Sequence, residues 1–477
     1  MFAERIVGSR QYPPRIVPRI ACTAFASSLA LLILGCGGSG APRIGTTPQS
    51  ITFANPGTQT AGTSQTLVAT ASSGLTVTIA STTPGTCTAN GATVSYTAAG
   101  TCTLNASIAG NSTYAAAAPV AQSFSINPAI PTGTTVYIAG FAYVAPSGNS
   151  AATLWQLAPG TPTASATLLA MPGGITNSTA NAVAVSGSDV HVVGWALTAT
   201  GGVALDWHNG SPTVLPSTMS LARAYAVAIS GGNVYVAGFE SNGSTDSNAV
   251  LWVNGVATVL PAPSGLTNAT ASAITVSGGN VYIVGTAFSS TLGDTAVYWV
   301  NGTPTVLPQP TGLPSGVIAL GIGVLNGNVY VSGDTDSGSD TTALLWQNNS
   351  PPTTLPLPPG VLPQSYGAQQ ITVAGNSLYI AGGGATGSST GSGTYWLNDV
   401  PTLLSTPDNL QNTPYNAYAV QIALAGNDVY SVGTLADDFA GILEAAVYWV
   451  NTGGETLLPM PTGAAEAYAN GIAVATQ

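Results

Sequence analysis

A five-residue phrase, branched or aromatic residues closed by glycine, occurs seven times in the chain. It reads VYIAG (136–140), VHVVG (190–194), VYVAG (234–238), VYIVG (281–285), VYVSG (329–333), LYIAG (378–382) and VYSVG (429–433). Sixteen to nineteen residues after each central aromatic stands a tryptophan: Trp155, Trp207, Trp252, Trp299, Trp346, Trp396 and Trp449. A third phrase, TVLP at 213–216, 258–261 and 305–308, follows the tryptophan. A fourth alternates small and branched residues, as in ANAVAV (180–185), AYAVAI (224–229), ASAITV (271–276) and AYAVQIAL (417–424). Alternation at period two marks strands with one buried face, and Asn-Gly or Gly-Gly pairs between them mark tight hairpins. Four short strands per repeat, recurring at a blade-sized interval, predict an all-β fold of propeller blades.

The ends of the repeat array fix the expected closure. The first repeat begins at VYIAG and lacks the alternating strand that precedes this phrase elsewhere. The chain finishes on AYANGIAV (467–474), a copy of the missing strand. The expectation is a seven-bladed β-propeller over residues 131–477, closed by its C-terminal strand, which leaves no open sheet edge. The pattern resembles kelch-type and related extracellular propeller repeats. It departs from kelch in that a double glycine occurs only at Gly382-Gly383 and the tryptophans sit on the third strand. The resemblance therefore implies an architecture and no ligand.

Ahead of the repeats, residues 49–127 read as short strands of alternating Thr and apolar residues, among them QTLVATA (65–71), ATVSYTA (92–98) and CTLNASI (102–108). This is the pattern of a small β-sandwich. The phrases AGTCTL and AGNSTYAAA within it resemble the Ig-like repeats of bacterial surface proteins, which implies a spacer role. Cys87 and Cys102 are the only cysteines beyond residue 36, and an even pair in an exported chain predicts one disulfide.

Residues 1–35 read as an export signal, with Arg5, Arg10, Arg15 and Arg19 ahead of an apolar run from Ile20 to Leu34. That run is short of the roughly 20 residues a membrane span needs. The sequence Ile33-Leu34-Gly35-Cys36 resembles a bacterial lipobox, with 36–48 as a flexible tether. The resemblance implies cleavage before Cys36 and a lipid anchor on its sulfur, and Gly37 next to it favours the outer membrane of the cell envelope. An ordinary cleaved signal or a short membrane anchor, with Cys36 incidental, is the other reading of the same run. After such cleavage two arginines, Arg43 and Arg223, face sixteen carboxylates, and the chain contains no lysine. A nucleic-acid partner is excluded on that balance, since phosphate binding rests on Lys and Arg.

Tight turns gather on one face of the predicted ring, and the second-to-third-strand and inter-blade loops on the other. Loops of varied length on a rigid scaffold are where binding concentrates. There Phe141, Trp195 and Phe239 follow the strand glycine in the first three blades and form a candidate platform for a sugar ring. Packing of loop bases is the alternative for these three. Asp334, Asp336 and Asp340 alternate in a Gly/Ser loop, a pattern of hard oxygens that can wrap calcium, although no glutamate completes an EF-hand and a solvated acidic loop has the same composition. His191 and His208 are the only histidines, too few for a repeated metal site. The expected function is an envelope-anchored binding or scaffolding protein that presents its loop face to a glycan or protein partner. A polysaccharide-degrading enzyme using loop carboxylates and a structural surface protein are the alternatives. An enzyme should break the repeat symmetry around one set of acids, and only Asp334–Asp340 and Asp437–Glu444 do so.

Overall fold

The computed structural model describes residues 46–476 apart from 146–147, 160–163, 174, 176, 244–245, 313–315, 336–340, 360, 362–363, 386–390, 405–414 and 438–443. The protein is all-β, with no helix among the described residues. It contains no helix there long and apolar enough to cross a membrane.

Beyond residue 133 the strands form seven antiparallel four-stranded units in a propeller-like arrangement. In unit three, for example, Leu221–Ser230 pairs with Asn233–Ser241, which pairs with Ser247–Val253 and then Val256–Val259. Units two and three, and units six and seven, are joined by single parallel bridges, Gly202 to Leu221 and Gly391 to Asn416. Unit one draws on both ends of the array. Its innermost strand is Ala464–Thr476, antiparallel to Thr134–Val144, with Val136 opposite Val474 and Phe141 opposite Tyr468.

The repeated glycine has a steric cause. In every unit the innermost strand carries a register shift at the same level, for instance between Ala224 and Ala226 or between Ala139 and Gly140. Such a bulge adds one residue and tilts the local backbone. The carbonyl opposite the glycine is thereby pushed into the space a side chain would fill. A Cβ on Gly238 would lie 2.0 Å from the Arg223 oxygen, and on Gly140 1.9 Å from the Tyr468 oxygen. No larger residue fits there.

The seven tryptophans are fully buried, and Trp155, Trp207, Trp252, Trp299, Trp346 and Trp396 each donate a hydrogen bond to a carbonyl of a neighbouring unit. Trp252 Nε1 donates to the Pro216 carbonyl at 2.7 Å, Trp299 to Pro261 at 2.8 Å, and Trp346 to Pro308 at 2.8 Å. The indole thus buries a large apolar face while its one donor is satisfied. This explains why proline ends the outer strand: its carbonyl is an acceptor on a segment that needs no further ladder donor. Each intervening core mixes residues of adjacent units, as Val193, Ala204 and Leu215 of unit two pack with Val236, Val250 and Trp252 of unit three.

The innermost strands are also stitched laterally. Asn470 Nδ2 donates to the Ala180 carbonyl (2.9 Å), Asn181 Nδ2 to Ala224 (2.7 Å) and Gln370 Nε2 to Leu320 (2.7 Å). Thr372 Oγ1 donates to the Ile422 carbonyl (2.6 Å), and Ile472 N–H to Gln421 Oε1 (2.9 Å). Strand Ala464–Thr476 lies against both Tyr415–Ala425 and Asn177–Ser186.

Residues 51–127 form a separate core. One sheet runs Gln59–Thr60, Val120–Asn127, Gly100–Ser107, Thr78–Ser81, and another Ser64–Thr66, Thr93–Tyr96, Cys87–Asn90. Phe53, Leu67, Ile79, Val94, Tyr96, Leu104 and Phe124 are buried together. Cys87 and Cys102 are joined by a disulfide that links these two sheets, with Cα atoms 5.7 Å apart. Asn127 Nδ2 donates to Thr456 Oγ1 at 2.8 Å, which ties this core to the outer strand of unit seven.

Candidate functional site

At the loop end of unit one, strand alternation and pairing put four side chains side by side. Phe141 and Tyr143 project from the same face two residues apart, and their cross-strand partners are Tyr468 and Glu466. The Phe141 and Tyr468 rings stack with centroids 4.5 Å apart and planes 7° from parallel. Tyr143 stands across both, at 86° to Phe141 and 79° to Tyr468. All three rings and Glu466 are only partly buried. Tyr143 and Glu466, with Val144, Ala145, Gly148 and Ala465, line a shallow depression of about 350 Å³.

Beside this site the Ala467 N–H donates to the backbone carbonyl of Glu444 in unit seven at 2.9 Å. Burial, reinforced by the charges of Glu466 and Glu444, pushes the Tyr143 hydroxyl above its ordinary value of 10.0. The phenol therefore stays protonated and able to donate throughout the physiological range. An aromatic corner beside a hydroxyl donor and a carboxylate acceptor, Glu466, can hold a ring that is apolar on its face and hydroxylated at its rim.

The other two sequence candidates sit elsewhere, between units two and three. Trp195 lies under the Arg223 guanidinium, whose carbon is 4.1 Å from the ring centroid. Phe239, opposite Arg223 in register, stacks with Tyr225 at 5.6 Å. Burial raises the Tyr225 hydroxyl against the opposing pull of Arg223. No ring contact among the described residues joins Phe141, Trp195 and Phe239; Arg223 and Tyr225 link the last two, and Phe141 stands apart from them. Phe141 is the member that touches a wall of an open depression, Tyr143. Its partners Tyr143, Tyr468 and Glu466 were not singled out from sequence. The usable signal was there: if AYANGIAV completes unit one, Tyr468 must face the residue after the VYIAG glycine.

Asp334 is buried, and its Oδ1 accepts the Ala368 N–H of unit six at 2.7 Å. Asp336 and Asp340, its companions in the calcium expectation, lie outside the described residues, as does Cys36. Among the described residues no three His, Cys, Asp or Glu side chains form a group able to hold a metal ion. His191 and His208 face each other across adjacent strands with rings stacked at 4.3 Å. Asp206 and Asp189 pair with them at 3.0 and 3.2 Å. The hydrogen bond with His208 is the main reason Asp189 is held below its ordinary value.

Comparison with known proteins adds no family. No family model matches the chain, and no curated protein does. Among solved structures, it is similar to a Mycobacterium tuberculosis puromycin-hydrolyzing peptidase at 13% identity and TM-score 0.43, over 70% of this chain and 52% of that one. The chain thus spans about half the length of that peptidase. An ulvan lyase, a polysaccharide lyase, matches at 10% identity and TM-score 0.43 over 69% of this chain and 92% of its own. A quinonprotein alcohol dehydrogenase-like protein from Bacteroides thetaiotaomicron matches at 10% and 0.37 over 88% and 96%. Likeness this distant carries no activity across.

Proposed function

We propose that the protein is an envelope-anchored lipoprotein whose seven units form a closed seven-bladed β-propeller that binds a glycan at unit one. Closure is supported by the pairing of Ala464–Thr476 with Thr134–Val144 and by the lateral bonds Asn470 to Ala180 and Ile472 to Gln421. The observation that carries the glycan reading is the corner of Phe141, Tyr143 and Tyr468 beside a depression with Glu466 on its rim. Flat aromatic faces suit the C–H faces of sugars, and a phenol with a carboxylate supplies the donor and acceptor that fix the rim hydroxyls. Presentation to a protein partner is the competing form of binding. The lipid anchor rests on the signal run and Cys36 alone, and the residues 51–127 act as a spacer.

A glycan array probed with the full-length protein in detergent tests this reading. Binding to at least one oligosaccharide is expected, weakened at least tenfold by Tyr143→Ala. An array with no signal, or a signal indifferent to Tyr143, refutes it. Labelled palmitate should enter the protein and be lost in Cys36→Ser. A glycan-cleaving enzyme is the second reading, because Glu444 and Glu466 both bear on Tyr143 and paired carboxylates are the machinery of glycoside cleavage. Product analysis on any bound sugar separates the two.

A further inference from the structure

We infer that the unit-one site selects glycans carrying free amines, of the hexosamine type with exposed ammonium groups, over neutral or acidic ones; this rests on the glycan reading above. The argument is one of charge around an aromatic corner. Glu466 stands directly opposite Tyr143 on the neighbouring strand and lines the depression. The Glu466 charge therefore faces whatever occupies the depression. Among the described residues Arg223 is the sole Lys or Arg, and it is committed to Trp195 between units two and three.

An acidic sugar at this site would bring a like charge against Glu466 with no nearby cation to offset it. An ammonium group gains from Glu466 and from the electron-rich face of Tyr143. The aromatic corner would hold the sugar ring, and Glu466 would read its substituent. That division makes affinity and selectivity separable by mutation.

The test is calorimetry on the full-length protein with four hexasaccharide probes: a β-1,4-glucosamine oligomer, its N-acetylated counterpart, a β-1,4-glucose oligomer and a uronate oligomer. The glucosamine oligomer is expected to bind about three- to tenfold more tightly than its N-acetylated form, the size of effect that partly exposed charge pairs give. Glu466→Gln, which removes the charge and keeps an amide oxygen as acceptor, should erase that preference. Raising the salt to 0.5 M should narrow the gap, because partly exposed charges are screened. Equal binding of the amine and acetylated probes overturns the amine preference and leaves the glycan reading intact. Tightest binding of the uronate overturns it in the same way. If no sugar binds but a lysine-rich peptide does so through Tyr143, both this inference and the glycan reading fail.

Discussion

Trp155 Nε1 donates a hydrogen bond to the carbonyl of Pro459 at 2.8 Å, across almost the whole length of the repeat array. The same bond joins Trp252 to Pro216 and Trp299 to Pro261 between consecutive units. The joint between the last unit and the first is therefore built like the internal joints. Trp155 also shares one core with Tyr430, Val432, Tyr448 and Leu458 of unit seven.

Trp155→Phe should cost about 1–3 kcal/mol, since it removes the bond to Pro459 and part of a packed ring. Trp299→Phe should cost a similar amount. Urea unfolding of both variants checks this. A neutral Trp155→Phe beside a costly Trp299→Phe would mean that units seven and one do not meet as internal neighbours do.

Gly238→Ala should destabilise the protein by at least about 2 kcal/mol, because the new Cβ, 2.0 Å from the Arg223 oxygen, forces the bulge to move. Gly173→Ala, with open space around it, should change little. Thermal melts of the pair decide whether the repeated glycine is a steric requirement or a compositional habit.

Glu240 is buried and accepts from Ser217 Oγ, Thr218 N–H and Thr218 Oγ1 at 3.0, 2.8 and 2.9 Å. Burial opposes its charge, but the bonds from Thr218 and Ser217 win and hold the carboxyl below its ordinary value of 4.5. Its contribution is thus complete above pH 4.5 and is lost as pH falls through the lowered folded value. Glu240→Gln should cost about 1–3 kcal/mol at pH 7, with the gap to the parent shrinking below the ordinary carboxylate range. A pH-independent difference would show that the charge is not what the loop 217–219 uses.

Cys102→Ser should lower the stability of the residues 51–127 core by about 3 kcal/mol, the loss expected for a loop of this length. The propeller-like units should melt as before, because the two bodies have separate buried cores. Calorimetry that shows one shared transition moving as a whole would contradict this independence.

Much of this architecture was legible in the chain because it repeats. Seven glycines, seven tryptophans and the orphan strand AYANGIAV each mark a constraint that every unit meets, so repetition amplifies the signal. The bulge was not legible, because the extra residue differs from unit to unit: Asn470 in unit one, Asn181 in unit two, Tyr225 in unit three. The site was half legible. Phe141 stood out by its place in the repeat, which led to a grouping with Trp195 and Phe239 at equivalent positions. Ring contacts are instead made across strands within one unit, and in unit one the partner strand comes from the far end of the chain. Only the register, with Phe141 opposite Tyr468 and Tyr143 opposite Glu466, assembles the corner.

That register is the point on which both the fold and the site depend, and it can be read chemically. Tyr137 and Ala473 face each other across Thr134–Val144 and Ala464–Thr476, and both are partly exposed. The double variant Tyr137→Cys/Ala473→Cys, made in the Cys87–Cys102 background and mildly oxidised, should yield a peptide cross-linked between positions 137 and 473 on mass-spectrometric mapping. Two free thiols at those positions in folded protein would mean that the C-terminal strand does not complete unit one, and the closed ring and its binding site would fall together.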